Sequence, residues 1–408
     1  MGKYQNAQSK PRLSRAEMPR VALLVETSRE VGRSILRGVE SYARLHGPWS
    51  LHLLPGDLAQ QLPDVKSWGA TGIIARIETP EVEKSILESK IPFVALDLYA
   101  PQKGKGGKFQ NASEVFVNSP KVGAMAAQHL LGRKFEHYGF VGEINDVLWS
   151  KDREKAFTDT VSAAGHEVFR YKSLKSSKNW GSDLHRLGKW LEELPKPIAL
   201  MAANDVRGRQ VIAACQEFNI RVPEDVAVIG VDNDTLLCQL SSPPMSSIAL
   251  DSENGGYQAA AILDGLMSGM LSGKQEYLVD PLHVVCRRST ERFEIADSMV
   301  ADAMRFIWIN PMAPLGVRDV AEQLLVSRRV LEVRFKNALG HTVLAEINMA
   351  RLVRVKQLLR ETDLKIREIA EMCGFGTEGY LCRFFRRETG VTLGQYKKQL
   401  KQDLGIKK

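Results

Sequence analysis

Two stretches of this chain repeat one another. Residues 317–340 read VRDVAEQLLVSRRVLEVRFKNALG, and residues 365–390 read KIREIAEMCGFGTEGYLCRFFRRETG. Val317-Arg318-Asp319-Val320-Ala321-Glu322 aligns with Ile366-Arg367-Glu368-Ile369-Ala370-Glu371 at an offset of 49. Further on, Phe335 aligns with Phe385 and Gly340 with Gly390 at an offset of 50, so the second copy has one extra residue in its turn, Cys373-Gly374-Phe375-Gly376. A glycine inside a helix costs roughly 1 kcal/mol, so these glycines read as a break between two helices. Each copy predicts a short helix with an inward Ala, a tight turn, a second helix rich in Arg or Lys, and a closing Gly. That is the pattern of a helix-turn-helix, whose second helix enters the major groove of DNA. The segment between the copies, VLAEINMARLVRVKQLLR, reads as a helix. Two copies make a tandem unit, since a solenoid needs three or more repeats.

Charge falls where the repeat falls. The 408 residues carry a formal net charge of +8. Residues 303–408 hold +9 and residues 1–20 hold +4, whereas residues 21–302 hold −5. One end is built for a polyanion and the body is not. A basic surface alone is an ordinary solvated face; a basic surface on a duplicated helix-turn-helix points to double-stranded DNA. At 44% hydrophobic and 25% charged residues the composition is that of a globular chain of two or three domains. No run of 18 apolar residues offers a membrane span. The opening MGKYQNAQSKPRLSRAEMPR has no apolar secretory core, so a cytoplasmic location is expected. Cysteines stand at 215, 238, 286, 373 and 382 without a CxxC or a His/Cys cluster. That spacing suits reduced, mostly buried thiols rather than zinc.

From residue 20 onward strand-like and helix-like segments alternate. RVALLVE, TGIIARIE, IPFVALDLY, HYGFVGEI, PIALMAAND and DVAVIGVDND are apolar strands with amphipathic segments between them. Such runs imply a mostly parallel sheet covered on both faces, an α/β class. The length calls for two lobes, about 20–120 and 121–285, with crossing strands allowed. The layout expected is thus a basic tail at 1–19, the α/β body at 20–285, a linker at 286–302 and an all-α DNA-binding domain at 303–405.

In open parallel sheets ligands sit beyond the carboxyl ends of the strands. The residues there are Glu26-Thr27-Ser28-Arg29, Arg76, Asp97, Glu143, Asn204-Asp205 and Asp232-Asn233-Asp234, with Trp149 and Arg153 following HYGFVGEI. Carboxylates, amides and an aromatic face suit a polyhydroxylated ligand. The plainer alternative is that Asp and Asn after strands form turns or cap helices, and for Asp205 and Asp234 both readings stay open. Trp180 and Trp190 read as packing residues. No GxGxxG follows a strand, and GxSxG and HExxH are absent. The GKGGK at 104–108 lacks a preceding strand and a following Ser or Thr. Asp232 and Asp234 lack the remainder of a calcium loop. No catalytic residues, cofactor or metal are expected.

The segment KIREIAEMCGFGTEGYLCRFFRRETGVTLGQYKK resembles the DNA-binding domain of the AraC/XylS family over about the last hundred residues, with Leu393 where that family usually has proline. Residues 20–285, most clearly MAANDVRGRQVIAACQEFNIRVPEDVAVIGVDNDTLL, resemble the type I periplasmic-binding-protein-like sugar domain of LacI-type regulators. The order is reversed relative to those regulators, whose reading domain comes first. The resemblance implies a monosaccharide effector, xylose or a related sugar. Arg153 and Asp232 would hold its hydroxyls, Asn204 would be a third partner, and Trp149 would stack on the ring. Asp97 and Ser28 would contribute from the first lobe.

In the reading helices, about 327–338 and 377–388, Arg328, Arg329 and Glu332 are placed for bases in the first copy. Glu378, Gly379, Cys382 and Arg383 are placed for bases in the second. Arg386, Arg387, Lys397 and Lys398 are placed for phosphates, which fix position without specifying sequence. Phe335, Phe385, Ile369 and Ala370 read as core. The chain is therefore expected to be a sugar-controlled transcription regulator, an activator working with RNA polymerase as a homodimer. Two alternatives are an α/β body that only dimerises or binds another ligand, and a sugar-acting enzyme with a DNA tether.

Overall fold

The apolar runs form two six-stranded sheets in the computed structural model, which describes residues 18–53, 65, 67–98, 102, 106–143, 147–171, 180–291, 297–309, 315–362 and 364–397. The first sheet contains β1 (Arg20–Leu24), β2 (Ser50–Leu53), β3 (Gly72–Arg76), β4 (Phe93–Leu96), β5 (Ser113–Val117) and β11 (Glu276–Val279), in the order 11-5-4-3-1-2. Every neighbouring pair in it is parallel. The second contains β6 (His137–Val141), β7 (Val168–Tyr171), β8 (Ile198–Ala202), β9 (Val226–Val231), β10 (Ser246–Leu250) and β12 (Pro281–Val285), in the order 12-10-9-8-6-7. Its edge strand β12 runs antiparallel to β10, and its other pairs are parallel. Strands β8 and β9 are buried along their whole length, as strands covered on both faces must be.

Helices α1 (Glu30–His46) and α2 (Pro80–Ser89) serve the first sheet, and α3 (Ser119–Leu131), α4 (Leu148–Ala163), α5 (Trp180–Glu193), α6 (Asp205–Glu217) and α7 (Thr235–Leu240) the second. Helix α8 (Ser252–Met267) returns to the first sheet and packs along α1. That packing needs glycine. A Cβ on Gly38 would lie 1.9 Å from the Glu253 carbonyl oxygen, and one on Gly256 would lie 2.0 Å from that of Ile35. Residues 252–279 therefore belong to the first lobe, although they follow residue 121. The chain crosses between lobes near 118, 251 and 280, and Asp280 ties the three crossings together. It accepts from Asn118 Nδ2 at 2.8 Å and Lys121 Nζ at 2.6 Å through its carboxylate, and from the Asp251 amide at 3.2 Å through its carbonyl.

The chain divides into two compact units, residues 1–292 and 293–408. Of the stretch expected as a linker, Ser289 and Thr290 are fully buried in the first unit, and the described helix of the second begins at Ser298. The second unit comprises α9 (Ser298–Ile309), α10 (Val317–Gln323), α11 (Arg328–Leu339), α12 (Val343–Glu361), α13 (Ile366–Met372) and α14 (Glu378–Thr389). Helix α12 joins two cores. Its Val343, Ile347 and Ala350 pack with Val320, Leu331 and Phe335 of the first copy, and its Val355, Leu358 and Leu359 pack with Ile369, Leu381 and Phe385 of the second.

The repeat is visible atom by atom. The Val326 amide donates to the Ala321 carbonyl at 3.0 Å, and the Phe375 amide to the Ala370 carbonyl at 2.9 Å. Each bond closes over a residue in the left-handed region, Leu325 with φ 56° and Gly374 with φ 70°. Glycine takes this conformation freely, whereas a leucine there is strained. The extra residue of the second turn is Gly376, also left-handed at φ 67°. It lets Phe375 plug the core while Thr377 still caps α14 by accepting from the Tyr380 amide at 3.2 Å.

Candidate functional site

A cleft lies between the lobes at the carboxyl ends of their strands, enclosing about 640 Å³ of empty space with its open mouth included. Glu26, Arg29, Arg76 and Asp97 line it from the first lobe, and Trp149, Arg153, Asn204 and Asp232 from the second. The sheet topology explains this convergence. Asp97 follows β4, Asn204 follows β8 and Asp232 follows β9, so parallel strands deliver all three to one end.

Arg153 projects from α4 and is only 4% exposed. Its Nη1 donates to the Ala203 carbonyl at 2.5 Å, and its guanidinium lies 4.7 Å from the Trp149 ring centre. Its buried Nε has no hydrogen-bond partner among the described residues. An unmet buried donor of this kind costs about 1–3 kcal/mol, which a ligand acceptor would recover. Asp232 sits in the left-handed region at φ 104°. Burial pushes its carboxyl up to about 6, against the pull of the Arg153, Arg29 and Arg76 charges. Burial likewise lowers the Arg153 guanidinium against the pull of Asp232 and Asp97. Both charges are thus short of solvation, and neither fully compensates the other.

The remaining candidates divide. Asn204 lines the cleft but is already engaged, accepting from the Arg207 amide at 2.9 Å as the cap of α6 and donating to Glu143 at 2.9 Å. Asp97 is held by the Val117 amide, which donates to its Oδ1 at 3.0 Å. Ser28 is not among the lining residues; its hydroxyl donates to Glu26 at 2.5 Å, and Glu26 reaches the cleft instead. Asp234 is a helix cap, accepting from the Leu237 amide at 3.2 Å, and it also accepts from the Glu30 amide of the first lobe at 3.1 Å. Asp205 is no cap. It lies buried beneath the cleft, accepting from Ser247 Oγ at 2.6 Å and the Asp234 amide at 2.7 Å, and burial with the nearby Asp232 charge raises its carboxyl well above the usual range. Trp190 packs against the core of the second lobe, and the Trp180 side chain lies outside the described residues.

In the second unit, Leu331 and Phe335 turn α11 so that Arg329, Val333, Lys336 and Asn337 face outward. Arg328 is exposed and pairs with Glu332 at 2.9 Å. Val333 is 52% exposed, an apolar residue at the centre of that face that the charge-led reading of the helix passed over. Its spacing of four from Arg329 was the available signal. On α14, Glu378, Gly379, Arg383, Arg386 and Arg387 are exposed, while Cys382 is half-buried against the core. Arg383 holds the place of Val333, and Gly379 that of Arg329. Arg387 pairs with Glu388 at 2.7 Å and lies over the Phe384 ring. Lys397 is half-buried, and Lys398 lies outside the described residues.

Family models match in the same order along the chain. Residues 20–110 match the XylR N-terminal domain, 127–290 a periplasmic binding protein-like domain, and 320–399 a helix-turn-helix domain. The chain is an AraC-type, XylR-like transcription regulator. The xylose operon regulatory protein of Escherichia coli (strain K12) is 29% identical to the regulator over 388 residues, 93% of this chain and 96% of the relative. That of Haemophilus influenzae (strain ATCC 51907 / DSM 11121 / KW20 / Rd) is 27% identical over 93% of this chain and 98% of its own length. A solved structure described as the xylose-binding transcription activator XylR superposes with a TM-score of 0.78 at 28% identity, covering 93% of the regulator and 97% of that chain. The helix-turn-helix match contains both α11 and α14, so the regulator binds DNA through the duplicated unit. Among its described residues no helix is long and apolar enough to cross a membrane.

Proposed function

We propose that the cleft takes an uncharged monosaccharide of the xylose class and that its occupancy controls the grip of α11 and α14 on an operator. The observation that carries this is Arg153, buried in the cleft beside Asp232 with an Nε that no described residue meets. Three guanidinium groups, from Arg29, Arg76 and Arg153, face three carboxylates, from Glu26, Asp97 and Asp232. Such a lining offers donors and acceptors in balance, which suits hydroxyls and disfavours a phosphorylated sugar. Arg153 and Asp232 would hold hydroxyls, with Asp97 and the second amide hydrogen of Asn204 as further partners. Trp149 would present an aromatic face, one side of which Arg153 already covers.

Bases would be read by Arg329, Val333 and Arg383, with the Arg328–Glu332 pair beside them, and Arg386 and Arg387 would hold phosphates. Two such helices on one face of B-DNA would sit about 34 Å apart. Homodimers in the cytoplasm, acting as activators beside RNA polymerase, complete this reading. A thermal-shift screen of the full chain against D-xylose, other pentoses, hexoses and their phosphates tests it. Sugar at about 100 times its dissociation constant should stabilise the sensor unit by about 2.7 kcal/mol. Arg153→Ala and Asp232→Ala should abolish the shift while leaving DNA binding in place. Stabilisation by a sugar phosphate alone, or by none of these compounds, would refute the uncharged-sugar reading.

A further inference from the structure

Strand β10 carries two adjacent serines, and strand geometry sends their side chains to opposite faces. Ser247 turns toward the cleft loop. It donates to Asp205 at 2.6 Å and accepts from the Asn233 amide at 2.9 Å, holding the 232–234 loop from below. Ser246 turns toward residues 287–290, the segment through which the chain leaves the sensor unit. Its Oγ meets the Arg287 carbonyl at 2.7 Å, the Arg287 amide at 2.8 Å and Thr290 Oγ1 at 2.7 Å. Its amide donates to Ser289 Oγ at 2.8 Å, and that hydroxyl donates to the Val228 carbonyl at 2.5 Å. Ser289 and Thr290 are fully buried.

The loop and the exit segment meet at Arg287. Its Nη2 donates to Asn233 Oδ1 at 2.8 Å, and its Nη1 to the Met245 carbonyl at 3.0 Å. On the loop side, Asn233 follows Asp232 of the cleft, and both have positive φ, 50° and 104°. Two consecutive non-glycine residues in that region store strain and persist only where their surroundings hold them. A ligand that engages the Asp232 carboxylate acts on that strained pair. On the exit side, a close-packed buried segment transmits a shift instead of absorbing it.

We infer that Arg287 is the positioning residue that couples occupancy of the cleft to the chain's exit toward the DNA-binding unit, acting through Asn233. This rests on the sugar reading above. Neither Arg287 nor Asn233 lines the cleft. Losing their contact should therefore leave sugar affinity standing and remove its effect on DNA.

The test uses full-length wild type, Arg287→Ala, Arg287→Lys, Asn233→Ala and the double alanine variant. D-xylose affinity is measured by calorimetry. Affinity for a duplex that wild type selects from a randomised pool is measured by anisotropy, with and without D-xylose. In wild type, D-xylose should change duplex affinity roughly 5- to 150-fold, the usual span of allosteric coupling. In Arg287→Ala and Asn233→Ala that ratio should approach one while D-xylose affinity stays near wild type. The double variant should lose no more than either single, as expected for one shared contact. Arg287→Lys, which keeps the charge but lacks the two-pronged geometry, should fall with the alanine variants. If Arg287→Ala does not fold, Asn233→Ala carries the test alone. Full coupling in the alanine variants overturns the inference, as does loss of D-xylose binding in parallel with coupling, which would make Arg287 a mere support of the cleft. No D-xylose binding by wild type would instead bring down the xylose reading and this inference with it.

Discussion

Asp232 concentrates the chemistry of the cleft in one carboxylate. Burial raises its pKa to about 6, and Arg153, Arg29 and Arg76 pull it back. Asp97 and the buried Asp205 add negative charge nearby. The sign follows from linkage. Because the folded value lies above the ordinary 3.8, the folded sensor holds a proton between those two values that the unfolded chain has lost. The empty sensor therefore gains stability as pH falls through that window. A sugar whose hydroxyls donate to the ionised carboxylate must expel the proton, so its affinity moves the other way. D-xylose affinity should be flat above pH 7 and fall about tenfold for each unit below 6. Calorimetry at pH 5 and 7.5 in two buffers would show the drop and the proton released on binding. Asp232→Asn should bind weakly with no such slope; a slope that survives this change would place the titrating group elsewhere.

Between elements, the two helix-turn-helix copies are held in register by more than α12. Arg351, on that helix, donates from Nη2 to the Leu315 carbonyl at 2.8 Å, at the entry to the first copy. Its guanidinium also lies 5.6 Å from the ring centre of Phe375, the plug of the second turn. Arg351→Ala removes both contacts. It should weaken binding to a duplex with boxes one helical turn apart, and it should reduce the further penalty for moving one box by two base pairs. Anisotropy on the two duplexes separates this from plain destabilisation, which would weaken both equally. The tandem itself was legible in the sequence because a closing glycine and a 3.6-residue apolar period are local signals, repeated at a near-constant offset. The crossing elements were only half legible. Strand β11 pairs with β5 across about 160 residues, and nothing local in EYLV names its partner. Arg153 and Asp232 could be found from the strand-end rule and the resemblance together. Ser246, Ser247 and Arg287 could not, since serine near a strand end reads first as a turn former and only the fold makes it a buried junction. Val333 was missed for a different reason: a search for bases led by charge passes over the apolar residue that helical spacing puts at the centre of the exposed face.

At the scale of the molecule, a body whose residues 21–302 carry −5 is joined to a basic reading unit, and the xylose operon regulators align with the chain across both. Where the two sites couple, each ligand is an effector of the other. Coupling between binding sites is reciprocal: whatever factor D-xylose applies to operator affinity, the operator must apply to D-xylose affinity. A regulator whose sugar tightens DNA binding twentyfold should bind D-xylose twentyfold more tightly once saturated with duplex, and a loosening should appear as the inverse. Titrating D-xylose into the free and duplex-bound protein, and duplex into the free and sugar-bound protein, closes a thermodynamic square whose two ratios must agree. Ratios near one on both sides, with D-xylose still bound, would show that the cleft and the reading helices share a chain without sharing a free energy. The α/β body would then serve assembly or another ligand. Equal ratios well away from one would fix both the sign of control and its size.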